Sequence, residues 1–121
     1  MKRRKIAVAR VYENPDAENA VRLLVDRLWP RGVRRDELRF DDWAKELAPS
    51  TDLRKWYGHD TTRFDAFAAQ YRAELDAVPV REYIERVTPT ADARPIVLLT
   101  ASKDLAHSHA SVLADYLRAI V

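Results

Sequence analysis

The sequence predicts an α/β fold, a single compact domain in which a largely parallel sheet is flanked by helices in three layers. Two apolar runs carry this prediction. Residues 21–28 are apolar on both faces through 23–25, and residues 96–100 are continuously apolar, which is typical of strands covered on both sides. Segments with helical spacing of apolar residues lie between them. A chain of 121 residues can build one core but not two, so residues 1–121 are expected to form one Rossmann-like domain.

Strands are predicted from apolar runs, and their ends from residues that break a sheet. The predicted strands cover residues 5–12, 21–28 and 96–100, and turn or loop signals lie at 13–16 and 88–92. Pro30 cannot donate to a strand ladder and is expected to end the second strand. Residues 33–48 leave two interpretations open, because 34–38 fits a helical turn and 40–47 fits either a strand or a helix before Pro49.

Helices are predicted from capping residues and apolar spacing. Ser50 is a good N-cap and Gly58 suits the position after a last turn, so a short helix is expected between them. Thr62 is expected to open the clearest helix, with Asp65 as a weak capping-box partner, and Pro79 to begin the next helix. The final helix has as its core stripe Ala110, Leu113, Tyr116, Leu117 and Ile120.

Composition limits the chemistry open to the chain. It has no cysteine, which excludes disulfides, thiol nucleophiles and iron–sulfur sites and favours a reducing compartment. No apolar run has the length of a membrane span or a signal-peptide core, so a cytoplasmic location and no membrane partner are expected. The formal charge is only +2. The basic excess is concentrated in an N-terminal arm, residues 1–5, which we interpret as a solvated tail although it is compatible with nucleic acid.

The turn after the second strand is the strongest candidate for a functional site. Arg27 and Arg31 carry guanidinium forks suited to phosphate or carboxylate, and strand ends are where α/β proteins keep their binding sites. If strand geometry continues to Trp29, Arg27 and Trp29 share one face, which places an indole beside a bound anion. Asp26 is expected to form an ion pair with Arg27, and the alternative is a role as proton acceptor.

The loop after the last strand is the second candidate. Ser102 and Lys103 follow that strand, and together with the backbone N–H groups of a strand-to-helix connection they could donate to an anion. The loop has no glycine, which excludes a Walker-type phosphate cradle. Because the carboxyl ends of parallel strands meet at one edge of a sheet, this loop and the turn around Arg27 are expected to form one pocket.

Lys45 and His59 are further candidates. Lys45 lies close to Trp43 in a segment that must bury apolar side chains, where a lysine can act as a base or a phosphate contact. His59 follows Gly58 directly and is an acid/base candidate, because the charge of histidine changes near neutral pH. Asp60, next to it, alternatively marks only the entry to the following helix.

Metal and cofactor chemistry are not expected. The three histidines are His59, His107 and His109, and the last two point in opposite directions on a helix. Without cysteine or an H-x-x-x-H spacing, the sequence predicts no metal site. No cofactor is expected, and the absence of G-x-S-x-G gives a serine nucleophile no support.

Three long motifs, in this order, resemble the bacterial DUF488 family and its YeaO-like branch. They are LVDRLWPRG at 24–32, WxKELAPS at 43–50 and LRKWYGHD at 53–60. The resemblance continues through the residues Phe67, Tyr71, Glu74 and Leu75 into the final strand, loop and helix, and so covers nearly the whole chain. It implies a small α/β domain of Rossmann-like character in a family of unknown function.

The resemblance also bears on the loop after the last strand. Family members often carry Leu-Tyr-Ala-Ala-Lys-Asp there, where this chain has LTASKD at 99–104. The tyrosine is absent, so no role that depends on it is carried over. The Lys-Asp pair is kept, which implies Lys103 and Asp104 as site residues.

Together these patterns predict a protein that binds an anionic or nucleotide-like ligand at strand ends. The expected ligand contacts are Arg27, Trp29, Arg31, Lys45, Ser102 and Lys103. If the protein is an enzyme, hydrolysis or group transfer on a phosphorylated or nucleoside substrate is the mechanism class, and the acid/base candidates are His59, Asp104 and Asp26. Two other classes stay open: a non-catalytic nucleic-acid module that uses the basic arm, and an interaction protein whose tryptophans form a partner surface.

Overall fold

The computed structural model describes residues 4–13, 19–88 and 94–120. Its strands are β1 (Ile6–Arg10), β2 (Val21–Leu24), β3 (Asp42–Trp43) and β4 (Ile96–Thr100). Its α-helices are α1 (Thr51–Tyr57), α2 (Phe64–Asp76), α3 (Val80–Val87) and α4 (His109–Ile120). The predicted turn at 13–16, the loop at 88–92 and the arm at 1–5 lie largely outside the described residues.

The four strands form one parallel sheet in the order β1-β4-β2-β3. β4 lies between β1 and β2, and Ile96 aligns with Ile6 on one side and Val21 on the other. All residues of β2 and β4 are buried, which explains why their sequences are continuous apolar runs. The carboxyl ends of β2 and β4 therefore lie side by side near the middle of the sheet.

The two faces of the sheet are covered differently. Side chains from all four helices join one core cluster with alternate residues of the strands, among them Leu23 and Leu98. The opposite face, with Leu24 and Leu99, packs against aromatic side chains that flank or belong to β3, namely Trp29, Phe40 and Trp43. The result is a three-layer α/β domain in which an aromatic segment covers the face away from these helices, and the predicted fold class is confirmed.

The caps of α1 agree with the sequence prediction. The Ser50 hydroxyl accepts a hydrogen bond from the Leu53 N–H at 3.2 Å, and Gly58 ends the helix with a left-handed φ of 51°, where a glycine avoids the steric cost of a Cβ. Glu74 on α2 accepts from the Ser50 N–H at 2.8 Å and from its hydroxyl at 2.6 Å. The start of α1 is thereby tied to the last turn of α2.

The second strand ends earlier than predicted. β2 stops at Leu24 rather than at residue 28, because its neighbour β3 is only two residues long and the backbone turns away after Val25. The prediction that Arg27 and Trp29 share a strand face is therefore wrong.

Two other local predictions are resolved or corrected. The ambiguous segment 40–47 contains β3 followed by a short 3₁₀ helix, Lys45–Leu47. The helix predicted to begin at Thr62 begins at Phe64, after a 3₁₀ turn whose N-cap is Asp60. Asp60 accepts hydrogen bonds from both the N–H and the hydroxyl of Thr62, and these bonds lower the pKa of its carboxyl. α2 has no side-chain cap, so Asp65 does not act as a capping partner.

Candidate functional site

A cleft of about 590 Å³ lies beyond the carboxyl ends of β2 and β4. This volume falls in the range of small-molecule pockets. Four parts of the chain line it: the turn 26–31 after β2, α1 with its flanking residues, Phe67 of α2, and residues in the range 101–109, from the end of β4 to the start of α4. Of the nine predicted site residues, the cleft brings together Asp26, Arg27, Trp29, Arg31, His59, Ser102, Lys103 and Asp104.

Asp26 forms the floor of the cleft. Its carboxylate accepts hydrogen bonds from the Thr100 hydroxyl at 2.6 Å and from the Ala101 N–H at 2.8 Å, and lies 3.2 Å from Nε2 of His109. The predicted pair with Arg27 is not formed. Asp26 instead links the end of β2 to the end of β4 and the start of α4.

His109 is the main site residue that the sequence did not identify, except as a metal candidate. Its Nε2 lies 3.1 Å from the Val25 carbonyl oxygen and 3.2 Å from the Asp26 carboxylate. Both neighbours only accept hydrogen bonds, so Nε2 carries a proton and donates. The side chain is 15% exposed and also lines the cleft.

The environment of Asp26 keeps it ionised. Burial favours the neutral acid and so raises its pKa, but this is outweighed by the hydrogen bond and positive charge of His109 and by the hydrogen bonds from Thr100 and Ala101. The net effect lowers the pKa of Asp26 below its ordinary value. A carboxylate stabilised by three donors is a poor proton acceptor and a strong structural acceptor.

Arg27 is partly engaged by the backbone. Its Nε donates to the Pro49 carbonyl at 3.0 Å, and Nη2 lies 3.5 Å from the Ala48 carbonyl oxygen. These contacts tie the turn after β2 to the segment that leads into α1. Arg27 also lines the cleft.

Three further cations stand at the rim. Arg31, Arg54 and Lys103 are exposed and line the cleft. In the part of the chain that the structure describes, their charged groups have no hydrogen-bond or ion-pair partner. They come from three different elements: the turn after β2, α1 and the loop after β4. Arg54 was not singled out from the sequence, where it reads as an ordinary helix-surface residue.

An apolar wall accompanies these cations. The buried Tyr57 ring stacks on the buried Phe67 ring with centroids 4.3 Å apart. Leu28 lines the same cleft and, although apolar, is 61% exposed. The Tyr57 hydroxyl donates to the His107 carbonyl at 2.6 Å and so braces the loop after β4. Burial raises the pKa of Tyr57, and the negative charge of Asp104 adds to the effect, so the phenol keeps the proton that this hydrogen bond needs.

His59 reaches the cleft from a strained backbone. It is exposed, lines the cleft and has a φ of 61°. Among the described residues it is the only one besides glycine with a positive φ. Such a conformation is unfavourable for a residue with a Cβ, and it often marks functional positions.

The loop after β4 is held mainly by its own polar side chains. Asp104 accepts from the His107 N–H at 3.3 Å and lies 2.7 Å from its Nδ1, and the hydrogen bond with the His107 side chain lowers the pKa of Asp104. The Ser102 N–H donates to the Thr100 hydroxyl oxygen at 3.2 Å, and the Ser102 carbonyl accepts from Arg10 at 3.2 Å. The cleft wall formed by this loop is therefore preformed.

Lys45 and the tryptophans are arranged differently from the prediction. Lys45 is outside the cleft, with its Nζ 3.8 Å from the centre of the Trp43 ring. Arg35 lies over the Trp29 ring at 5.0 Å, and Arg63 lies over the Trp56 ring at 5.2 Å. Each of the three tryptophans thus has a cation over its ring.

The described residues contain no group of three or more histidine, cysteine, aspartate or glutamate side chains placed to hold a metal ion. Within the same residues, no helix combines the length and apolarity that a membrane crossing requires.

Comparison with known proteins places these features in a family. The profile of the family described as "Inactive DUF488-N3 subclade" matches residues 5–121. Uncharacterised proteins of Mycobacterium tuberculosis and Mycobacterium bovis are each 42% identical over 113 residues, which is 93% of this chain and 93% of the relative. The uncharacterised protein YeaO of Escherichia coli is 39% identical over 115 residues, 95% of this chain and 98% of the relative. No solved structure matches the chain significantly.

Proposed function

The chain belongs to the DUF488 family, and on that premise we propose that it binds a small anionic, nucleotide-like ligand in the cleft beyond β2 and β4 without transforming it. The single observation that carries the proposal is the convergence of Arg31, Arg54 and Lys103 on one cleft of small-molecule size. Unpartnered cations at a concave site favour an anion, because ligand charge replaces the water that solvates them.

Two of the three acid/base candidates, Asp26 and Asp104, are held in hydrogen bonds, which supports binding rather than catalysis. Asp26 is engaged by three donors, and Asp104 is engaged by His107. The chain has no cysteine nucleophile, and Ser102 is hydrogen-bonded to Thr100 rather than to a histidine. The description "Inactive DUF488-N3 subclade" for the matching family agrees with this interpretation.

The alternative of a nucleic-acid module is less well supported. Base stacking needs an open aromatic face, and one face of each tryptophan is occupied by a cation. Of the three, only Trp56 is exposed, at 40%. Arg4 of the basic arm donates to the Arg94 carbonyl at 2.8 Å and to the Thr88 carbonyl at 3.2 Å, so this part of the arm is bound to the fold.

The proposal is tested by thermal unfolding of the full chain with and without inorganic pyrophosphate and adenosine 5′-monophosphate. A ligand that binds the folded state raises the Tm by mass action. We expect at least one of the two anions to raise the Tm of the wild type, with a smaller rise for R54A and K103A. K45A is the matched control, since it removes a cation outside the cleft and should respond like the wild type.

Two results would contradict the proposal. If neither anion changes the Tm, the cleft is not an anion site. If R54A, K103A and K45A all respond like the wild type, the anion binds elsewhere. To test for catalysis, the nucleotide is incubated with the protein and then analysed by chromatography. We expect the nucleotide to be recovered unchanged. Conversion of the nucleotide by the wild type but not by H59A would show that the protein is an enzyme.

A further inference from the structure

The charge and shape of the cleft indicate which kind of small anion it binds. We infer that the cleft takes a phosphomonoester carried on a flat ring, such as a nucleoside 5′-monophosphate, in preference to a phosphodiester or to a free inorganic anion. The inference rests on the proposed function, because it presupposes that the cleft binds an anion. It adds two requirements, a doubly charged group and an aromatic body.

The charge requirement follows from counting the groups that still need a partner. The carboxylate of Asp26 is compensated by His109 and two further donors, and that of Asp104 lies 2.7 Å from a ring nitrogen of His107. Against them stand Arg27, whose guanidinium, within the described ranges, is bound only to backbone carbonyls, and the three rim cations Arg31, Arg54 and Lys103. A phosphodiester brings one negative charge, whereas a monoester brings between about 1.5 and 2 near pH 7. The monoester matches the excess positive charge better.

The shape requirement follows from the wall beside these cations. Arg54 and Tyr57 are three residues apart on α1, so they lie on the same side of the helix. The stacked rings of Tyr57 and Phe67 are buried at the back of the cleft, and the apolar surface that solvent reaches there is mainly that of Leu28, which is 61% exposed. An inorganic anion would leave this surface in contact with water, but a ligand with a planar ring would cover it.

The size of the cleft argues against a polymer. A volume of about 590 Å³ suits one drug-sized or nucleotide-sized molecule. Proteins that hold single-stranded nucleic acid present a groove several nucleotides long with stacking platforms along it. The rim cations here surround one concavity, and each of the three tryptophan rings has a cation over one face.

Isothermal titration calorimetry of the full chain, at low salt and pH 7.5, separates these requirements. The probes are the 5′-monophosphates of adenosine and uridine, their 3′,5′-cyclic counterparts, adenosine itself and inorganic pyrophosphate. Each cyclic nucleotide keeps the ring and the sugar but turns the monoester into a diester. We expect at least one 5′-monophosphate to bind about tenfold or more tightly than its cyclic form, since it gains a charge-assisted contact. Adenosine should bind more weakly still.

The matched variants locate the two parts of the ligand. R54A and K103A should weaken 5′-monophosphate binding at least about fivefold, while K45A should leave it unchanged. L28S removes apolar surface from an exposed position and should weaken the nucleotide but not pyrophosphate.

Each failure has a distinct meaning. A cyclic nucleotide that binds as tightly as its 5′-monophosphate would overturn the charge requirement. Pyrophosphate that binds as tightly as every nucleotide would overturn the ring requirement while the proposed anion site stands. If none of the probes binds, the proposed function itself fails together with the inference.

Discussion

The floor and the rim of the cleft differ in how their charged groups are satisfied. On the floor, Asp26 and His109 are mostly buried and hydrogen-bonded to the ends of both central strands. At the rim, Arg31, Arg54 and Lys103 are exposed and have no partner among the described residues. Buried polar groups must be paired if the fold is to be stable, whereas exposed ones need not be. The floor is therefore expected to contribute to stability, and the rim is the part of the cleft left for the proposed ligand.

Removing the Asp26 carboxylate should have the largest effect and tests whether the floor stabilises the fold. Asp26→Ala leaves the Ala101 N–H without its acceptor and removes one acceptor each from the Thr100 hydroxyl and His109, so we expect a loss of about 3 kcal/mol in the free energy of unfolding. Urea unfolding followed by tryptophan fluorescence measures it. Asp115→Ala is the control, since Asp115 forms an exposed ion pair with Arg118 at 2.8 Å and its loss should matter far less. Equal losses in both variants would show that the floor has no special role.

The pH dependence of stability tests the same carboxylate. Asp26 has a lower pKa in the folded state than the value of about 3.9 expected for an unfolded chain. Its stabilisation is therefore complete above that unfolded value and is lost as the pH falls through the folded pKa. We expect the difference in unfolding free energy between the wild type and Asp26→Asn to be largest near pH 6 and to shrink below pH 4. A difference that stays constant or grows in acid would show that the charge of Asp26 is not what stabilises the fold.

The backbone conformation of His59, another exposed residue of the cleft, should have a smaller effect on stability. Its φ of 61° strains any residue with a Cβ, whereas glycine adopts it freely. His59→Gly should therefore raise the free energy of unfolding by about 0.5 kcal/mol, while the loss of the imidazole affects only the cleft. His59→Ala keeps the Cβ and should give no such gain in thermal or urea unfolding. If the glycine variant is less stable than the alanine variant, the left-handed backbone is not a source of strain.

The rim cations should have the smallest effect on stability. Arg54→Ala and Lys103→Ala remove exposed charges that lack partners, so each should change the free energy of unfolding by less than about 0.5 kcal/mol. The calorimetric titrations described above should nevertheless show weaker binding. If a rim variant loses as much unfolding free energy as Asp26→Ala, the rim contributes to stability as the floor does, and the proposed difference between the two regions is wrong.

The sequence was sufficient for the architecture because the signals there are local. Apolar runs identified β2 and β4, and Ser50 and Gly58 marked the ends of α1. The expectation that two strand ends face one cleft followed from the geometry of parallel sheets. The early end of β2 was not predictable, because the apolar pattern continues to residue 28 and the stopping point depends on the short partner β3.

The pairing inside the cleft was not predictable from local signals. Asp26 and Thr100 are 74 positions apart, and nothing in the sequence indicates that the aspartate bonds to Thr100 and His109 rather than to its neighbour Arg27. Lys45 resembled a site residue because it lies near Trp43 in sequence, but its ammonium lies over the indole ring. Arg54 gave no signal, since only the tertiary arrangement places this helix-surface residue at the rim.

The position of β4 in the sheet has a consequence for synthesis of the chain. β1 and β2 are made first, yet β4, which lies between them, ends at Thr100. The ribosome must therefore deliver about five-sixths of the chain before the two early strands gain their shared neighbour. During this interval both strands expose unpaired backbone edges, which are surfaces that chaperones can recognise and that other nascent chains can join. The loop 101–109, which completes the cleft, is made only after β4, so the cleft cannot form before this step.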